Sequence, residues 1–237
     1  MTATAINLER DLRAVASRSN DDLTVLARFF KTGPGQYAEG DIFIGVTVPA
    51  NRKICKKYHE MDVVEIEKTL DSPVHEMRLA AVMIMAEQAK KGNEALKKAL
   101  YDLYLRRSDR INNWDIVDAS CRDVVGEYLI NKPRDLLYKL AKSGNLWERR
   151  IAMVSTWAFI RAGQDADVYK IAEMLLGDKH DLIHKAVGWM LREAGKRVSR
   201  PHLLVFLDTH AKTMPRTALR YAIEHLDPAV RQVYMQK

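Results

Sequence analysis

No stretch of this chain is apolar and uncharged over the length a membrane-spanning helix requires, which excludes a helical membrane protein. The first twenty residues already carry Glu9, Asp11 and three arginines, so the opening is not a secretory signal. Cysteine is nearly missing. Cys55 and Cys121 are too few for a disulfide framework, and their amphipathic surroundings predict two buried, reduced thiols. The expected compartment is therefore intracellular: cytoplasm or nucleoid, or the nucleus in a eukaryote. Several catalytic signatures are absent too: the GxSxG turn, a Walker-type glycine loop, GxGxxG and HExxH. These absences disfavour a kinase, an NTPase or a dinucleotide enzyme. His180 and His184 have the spacing of neighbours on one helix face, but no third ligand accompanies them. Neither a metal nor any other cofactor is expected.

What is present is ample apolar material and an uneven charge. With 237 residues, 47% of them hydrophobic, the chain can bury a substantial core. The net charge is +7, and Lys179 to Lys237 holds eleven Lys/Arg against five Asp/Glu. That excess reads either as a solvated helix face or as a surface for a polyanion, whose counterions clustered cations release.

Apolar residues recur at helical spacing almost throughout: Leu23, Leu26, Phe29 and Phe30; Met77 to Met85; Val117, Cys121, Val124, Val125 and Tyr128. Two-residue alternation occurs only in Ile42 to Pro49. Glycines precede that segment, so it reads as a connecting loop, with Pro49 in the first turn of a helix near Ala50 to Tyr58. From Asp71 onward breaks recur near Gly92, Asn112, Pro133, Gly144, Gly163, Gly177, Ser199 to Pro201, and Pro215. Arg78, Arg150 and Lys185 each precede a small-apolar pattern, as in the second helix of a HEAT-type repeat. The expectation is an all-α solenoid of HEAT-like antiparallel helix pairs with a concave basic face. It forms a single domain over 1–237, less regular over 1–70 and regular over 71–237.

The residues able to carry chemistry centre on Asn112 to Asp118. Asn112 or Asn113 suits a helix cap, and Asp115 then favours the helix dipole from the first turn. Trp114 and Asp118 are four residues apart and share a helix face. Asp118 lies beyond any capping position, where Asp is a poor helix former. It reads as an exposed residue, an ion-pair partner of Arg122, or a functional carboxylate. Trp157 lies inside an apolar run and is expected in the core. Trp147, beside Arg149 and Arg150, and Trp189, beside Lys185 and Arg192, read either as core or as the lining of a mouth.

Four separated segments resemble the AlkD family of DNA glycosylases, alkylpurine-removing enzymes built on HEAT-like repeats. Phe43 to Pro49 is similar to the family's F-x-G-[IV]-x-x-P segment, and Asn113 to Asp118 to its W-D-x-V-D helix start. Asn145 to Arg150 is similar to N-x-W-x-x-R, and Lys185 to Glu193 to K-A-[IV]-G-W-x-L-R-E. Their order and intervals also fit over most of the chain, least before Asp41 and after Arg197.

The resemblance implies roles at matching positions. Asp118 becomes the catalytic carboxylate, Trp114 and Trp189 the aromatic walls facing the lesion, and Arg150 the cation reaching the DNA backbone. Lys185, Arg192, Arg149 and Trp147 become further backbone candidates. Asn113 stands where some relatives carry a second tryptophan, which bears on the pocket's shape. The implied partner is duplex DNA with alkylated bases; no membrane is expected from the hydropathy, and a monomer is the default because the sequence gives no sign of oligomerisation. The implied activity is hydrolysis of the N-glycosidic bond of cationic N3- or N7-alkylpurines, leaving an abasic site. A non-catalytic HEAT-like scaffold for DNA or protein is the alternative, because fold alone does not give function.

Overall fold

The computed structural model describes residues 3–16 and 20–236. Fifteen α-helices occur among them: α1 (Ala5–Ala14), α2 (Asn20–Phe30), α3 (Val48–Cys55), α4 (Val63–Leu70), α5 (His75–Lys91), α6 (Glu94–Arg106), α7 (Trp114–Asp118), α8 (Glu127–Leu129), α9 (Asp135–Ala141), α10 (Leu146–Arg161), α11 (Ala166–Leu175), α12 (Asp181–Arg197), α13 (Arg200–His210), α14 (Arg216–Ala222) and α15 (Pro228–Gln236). No strand forms among the described residues. A single bridge between Ile42 and Val74 is the only β-type pairing there. The all-α expectation holds, and every break read from the sequence falls at a helix boundary. Pro49 sits in the first turn of α3, which Thr47 caps through the Ala50 amide.

The chain resolves into two compact units, Met1–Val124 and Val125–Lys237. In the first, α5 is the central element, with α1, α3, α4, α6 and α7 against it. It buries fourteen of its seventeen residues, so it shows no one-sided stripe and reads in sequence as apolar all round. In the second, α10 packs on α9, α11 and α12, and α12 packs on α13 and α14 as well. Cys55 and Cys121 are buried free thiols, as expected, and burial pushes Cys55 up to about 12.

One expected helix is broken. The periodicity through Val117, Cys121 and Val124 predicts a single helix, but α7 ends at Asp118, and a π-helical turn over Arg122–Gly126 precedes α8. Ser120 supplies the reason. Its hydroxyl bonds back to the Ile116 carbonyl at 2.7 Å and meets the Tyr104 hydroxyl at 2.9 Å, competing with the backbone ladder. Such turns often mark functional positions.

Gly188, within the Lys185 to Glu193 segment, permits the close approach of α12 to α14. A Cβ there would lie 2.4 Å from the Ala218 carbonyl oxygen and 2.5 Å from the Tyr221 Cβ. Gly188→Ala should therefore destabilise the protein by about 1–3 kcal/mol in urea unfolding. A gain of stability, as helix propensity alone would give, would contradict this packing.

Candidate functional site

The Phe43 to Pro49 segment is a cradle for a buried carboxylate. The amides of Ile44, Gly45 and Val46 all donate to Glu76 Oε1, at 3.1, 2.8 and 3.2 Å. Successive amides can converge on one anion because Gly45 adopts φ +76°, a conformation side chains disfavour. The Asn51 side chain donates to the Glu76 carbonyl at 2.8 Å, fixing α3 against the start of α5.

Next to Glu76 lies a chain of buried charges. His75 Nδ1 is 3.1 Å from Asp41 Oδ2, and its Nε2 is 2.8 Å from Asp115 Oδ2. Arg78, only 1% exposed, donates to Asp41 Oδ1 at 2.5 Å and to Asn112 Oδ1 at 3.2 Å. It also donates to the carbonyls of Ser72 and Pro73 at 3.1 Å each. Burial by itself pushes His75 down, but hydrogen bonds and charge from Asp115 and Asp41 outweigh it and hold the ring up at about 9. His75 is thus an imidazolium at neutral pH, clamped between two carboxylates. For Asp41, burial pushes upward, but the His75 hydrogen bond and the Arg78 charge bring it below the usual carboxylate range.

This network seats the start of α7. Asn113 is the cap: its Oδ1 accepts from the Trp114 amide at 2.8 Å, and its Nδ2 donates to Asp41 at 3.4 Å. It is fully buried, so its side chain lines no open pocket. Asp115 lies in the first turn as expected, but also holds His75. Trp114 is half-buried, stacked on Phe30 at 5.6 Å and edge-on to Phe29 at 5.7 Å. Phe30 in turn stacks on Phe43 at 4.8 Å. Phe29 remains 59% exposed, which extends the aromatic surface of Trp114 outward.

Asp118 is half-buried at the last position of α7. A carboxylate at a helix C-terminus faces the negative end of the dipole, so helix stability does not explain it. The neighbouring Tyr104 is raised well above its ordinary value, first by burial, with the charge of Asp118 contributing. Arg122, a partner considered for Asp118, pairs with Asp123 at 3.2 Å.

In the second unit the candidates divide. Trp147 is buried, and its amide donates to the Asn145 cap at 2.8 Å. Arg149 pairs with Asp178 at 2.6 Å and donates to the Ser143 carbonyl at 2.9 Å. Arg150 is buried and donates to the Leu182 carbonyl at 2.5 Å, tying α10 to the start of α12. Lys185 is half-exposed beside Asp181 at 2.7 Å, and Arg192 pairs with Glu193 and Glu224. Trp189 is half-buried, 6.1 Å from Trp157. Trp157, expected in the core, is half-buried too, with the Arg197 guanidinium 4.9 Å over its ring. His180 caps α12, and His184 Nε2 meets the Asp178 carbonyl at 2.6 Å. No cluster suited to a metal ion occurs among the described residues.

A family model described as "DNA alkylation repair enzyme" matches residues 8–226. The chain belongs to the DNA alkylation repair enzyme family. A solved structure titled "Predicted DNA alkylation repair enzyme from Enterococcus faecalis" superposes with a TM-score of 0.68. It is 16% identical, and the match covers 90% of this chain and 98% of that one. No curated protein matches the sequence.

For this family member, sequence reading singles out Trp114 and Asp118 as candidates but not the buried groups that anchor the start of α7. Asp41, His75 and Glu76 go unread, although two charged residues opening the apolar α5 run are a usable signal. The linkage from His75 has a definite sign. Its folded value, about 9, lies above the ordinary 6.5, so its stabilisation is full below about pH 6.5 and lost as pH rises through 9. Urea unfolding at pH 7 and 9.5 should show that loss, and His75→Gln should flatten it. An equal loss in the variant would assign the effect to other groups.

Proposed function

We propose that this chain is a monofunctional DNA glycosylase. It hydrolyses the N-glycosidic bond of cationic N3- or N7-alkylpurines in duplex DNA and leaves an abasic site. The observation that carries the reading is a Trp and a carboxylate on a five-residue helix, α7, whose start is anchored by buried ion pairs. Catalysis by charge needs such preorganisation: the group must already stand where charge develops. Asp118 stabilises the oxocarbenium character that grows on the deoxyribose as the bond breaks, and orients the attacking water. Trp114, extended by Phe29, offers a π face to the cationic base, an interaction of roughly 0.5–2 kcal/mol. The base leaves as a neutral purine, so no strong general acid is required.

Trp189 with Trp157 supplies a second aromatic surface for the DNA, and Lys185 and Arg192 are its nearby cations. Arg150, buried against Leu182, positions α12. In this reading the helix pairs stack as HEAT-like repeats, the protein acts as a monomer, and it works inside the cell where its substrate lies.

Wild-type protein incubated with methylated duplex DNA should release free alkylpurine. Asp118→Asn should slow single-turnover release by about 10²-fold or more while DNA affinity persists. Unchanged release by the variant would remove Asp118 from the mechanism. Salt-sensitive DNA binding without any base release by wild type would identify a non-catalytic scaffold instead.

A further inference from the structure

Three bonds tie the buried charges to the start of α7. Arg78 donates to Asn112 at 3.2 Å, the Asn113 side chain donates to Asp41 at 3.4 Å, and His75 Nε2 meets Asp115 Oδ2 at 2.8 Å. Of the three, only the last engages a charged residue inside the helix, and it is the shortest. Asp115 also accepts from the Ile116 amide through Oδ1 at 2.9 Å, so one carboxylate holds both the ring and the first turn. Trp114 directly precedes Asp115, and Asp118 lies three residues on, about 4.5 Å further along the axis.

Apolar burial alone does not fix the rotation of so short a helix. Ile116 and Val117 are fully buried, but apolar contact is non-directional, whereas a hydrogen bond has a preferred line. Nor is net stability a reason to bury these charges, since well-packed apolar groups of the same volume often stabilise as much or more. What the ion pair adds is a defined geometry at Asp115. His75 itself has little freedom to turn: Asp41 holds Nδ1 at 3.1 Å, and Phe43 stacks on the ring at 4.4 Å.

We propose that His75 is a positioning residue for base release: bonded at both ring nitrogens, it holds Asp115 and through it the orientation of Trp114 and Asp118 on α7. The role rests on the glycosylase reading for the reaction, and falls to a buried side chain that does not itself meet the DNA. It carries a proton dependence. The groups facing the ring are Asp41 from the loop ahead of α3 and Asp115 from α7, with Glu76 and Arg78 beside it on α5. Phe30 of α2 and Phe43 lie against the ring without charge, and Arg110, beyond α6, acts on Arg78. A protonated imidazole donates to both carboxylates. A neutral one has a single N–H, so one carboxylate then faces a lone pair. Asp115 and Asp41 keep the ring protonated up to about pH 9, and the contribution of His75 should be lost as pH rises through that value.

The test measures single-turnover release from a duplex carrying one N7-methylguanine by wild type, His75→Gln, Asp115→Asn and the double variant, with thermal unfolding at each pH to verify the fold. At pH 7 each single variant should be slower by roughly 10–10²-fold, the loss that a displacement of about 1 Å produces, while the Kd for undamaged duplex is unchanged. The double variant should be no slower than the worse single one, because both substitutions break one link. The ratio of wild-type to His75→Gln rates, from which the lesion's own titration cancels, should fall toward unity as pH passes 9. A ratio independent of pH would overturn the proposal, since a role in packing alone does not follow the proton. Additive losses in the double variant would overturn it as well. Deuterium exchange at pH 7 gives a readout without catalysis. The Val117 and Ala119 amides, bonded to the Asn113 and Asp115 carbonyls, should exchange faster in both single variants. Loosened amides in the variants, with no base release by wild type, would sink the glycosylase reading while the hold of His75 on α7 stands. Base release and exchange both unchanged by the substitutions would sink only the positioning role.

Discussion

The Arg78–Asp41–His75–Asp115 chain is the constraint from which the geometry around α7 follows. Four ionisable groups with side chains at most 10% exposed would be prohibitively costly singly, and are tolerable because each charge has an opposite neighbour at 2.5–3.1 Å. The chain joins pieces distant in sequence: Asp41 before the loop, His75 and Arg78 on α5, and Asp115 on α7. A five-residue helix has no stability of its own in water, since isolated helices below about 12 residues are marginal. The position of Trp114 and Asp118 is therefore set by salt bridges beneath them rather than by helix propensity.

Around this anchor the neighbouring features reinforce one another. The Glu76 carboxylate organises the loop whose Phe43 ring stacks on both Phe30 and His75. Phe30 then supports Trp114 from below, so the charged and aromatic layers converge on one side chain. Ser120 bonds back to the Ile116 carbonyl just beyond the helix, leaving Asp118 at its C-terminus.

Much of this was legible in the sequence. Helical periodicity with regular breaks gave the all-α class and nearly every boundary, because apolar spacing and capping residues act locally. The Asn112–Asn113 pair could be read as a cap for the same reason, whereas the caps Asn145 and Ser199 emerge from the structure. The sequence also picked out Trp114, Asp118 and Trp189 through segments similar to a known family. It did not reveal why those segments have their composition. Asp41 and His75 are separated by 34 residues and His75 and Asp115 by 40, beyond any local pattern. Trp157 read as core because its neighbours are apolar, while its actual surroundings are Trp189 and Arg197 on another helix.

Local chemistry thus determined which residues form helices and where most of them stop. Tertiary structure decided which charges are available. Arg149 and Arg150 look like free cations in a W-x-R-R sequence, yet Asp178 and the Leu182 carbonyl engage them. Arg52 and Lys91 look unremarkable along the chain, yet both act on Glu87 in the wall of one groove. The physical reason is that a charge is neutralised by whatever lies within a few ångströms of it. Only folding fixes those neighbours.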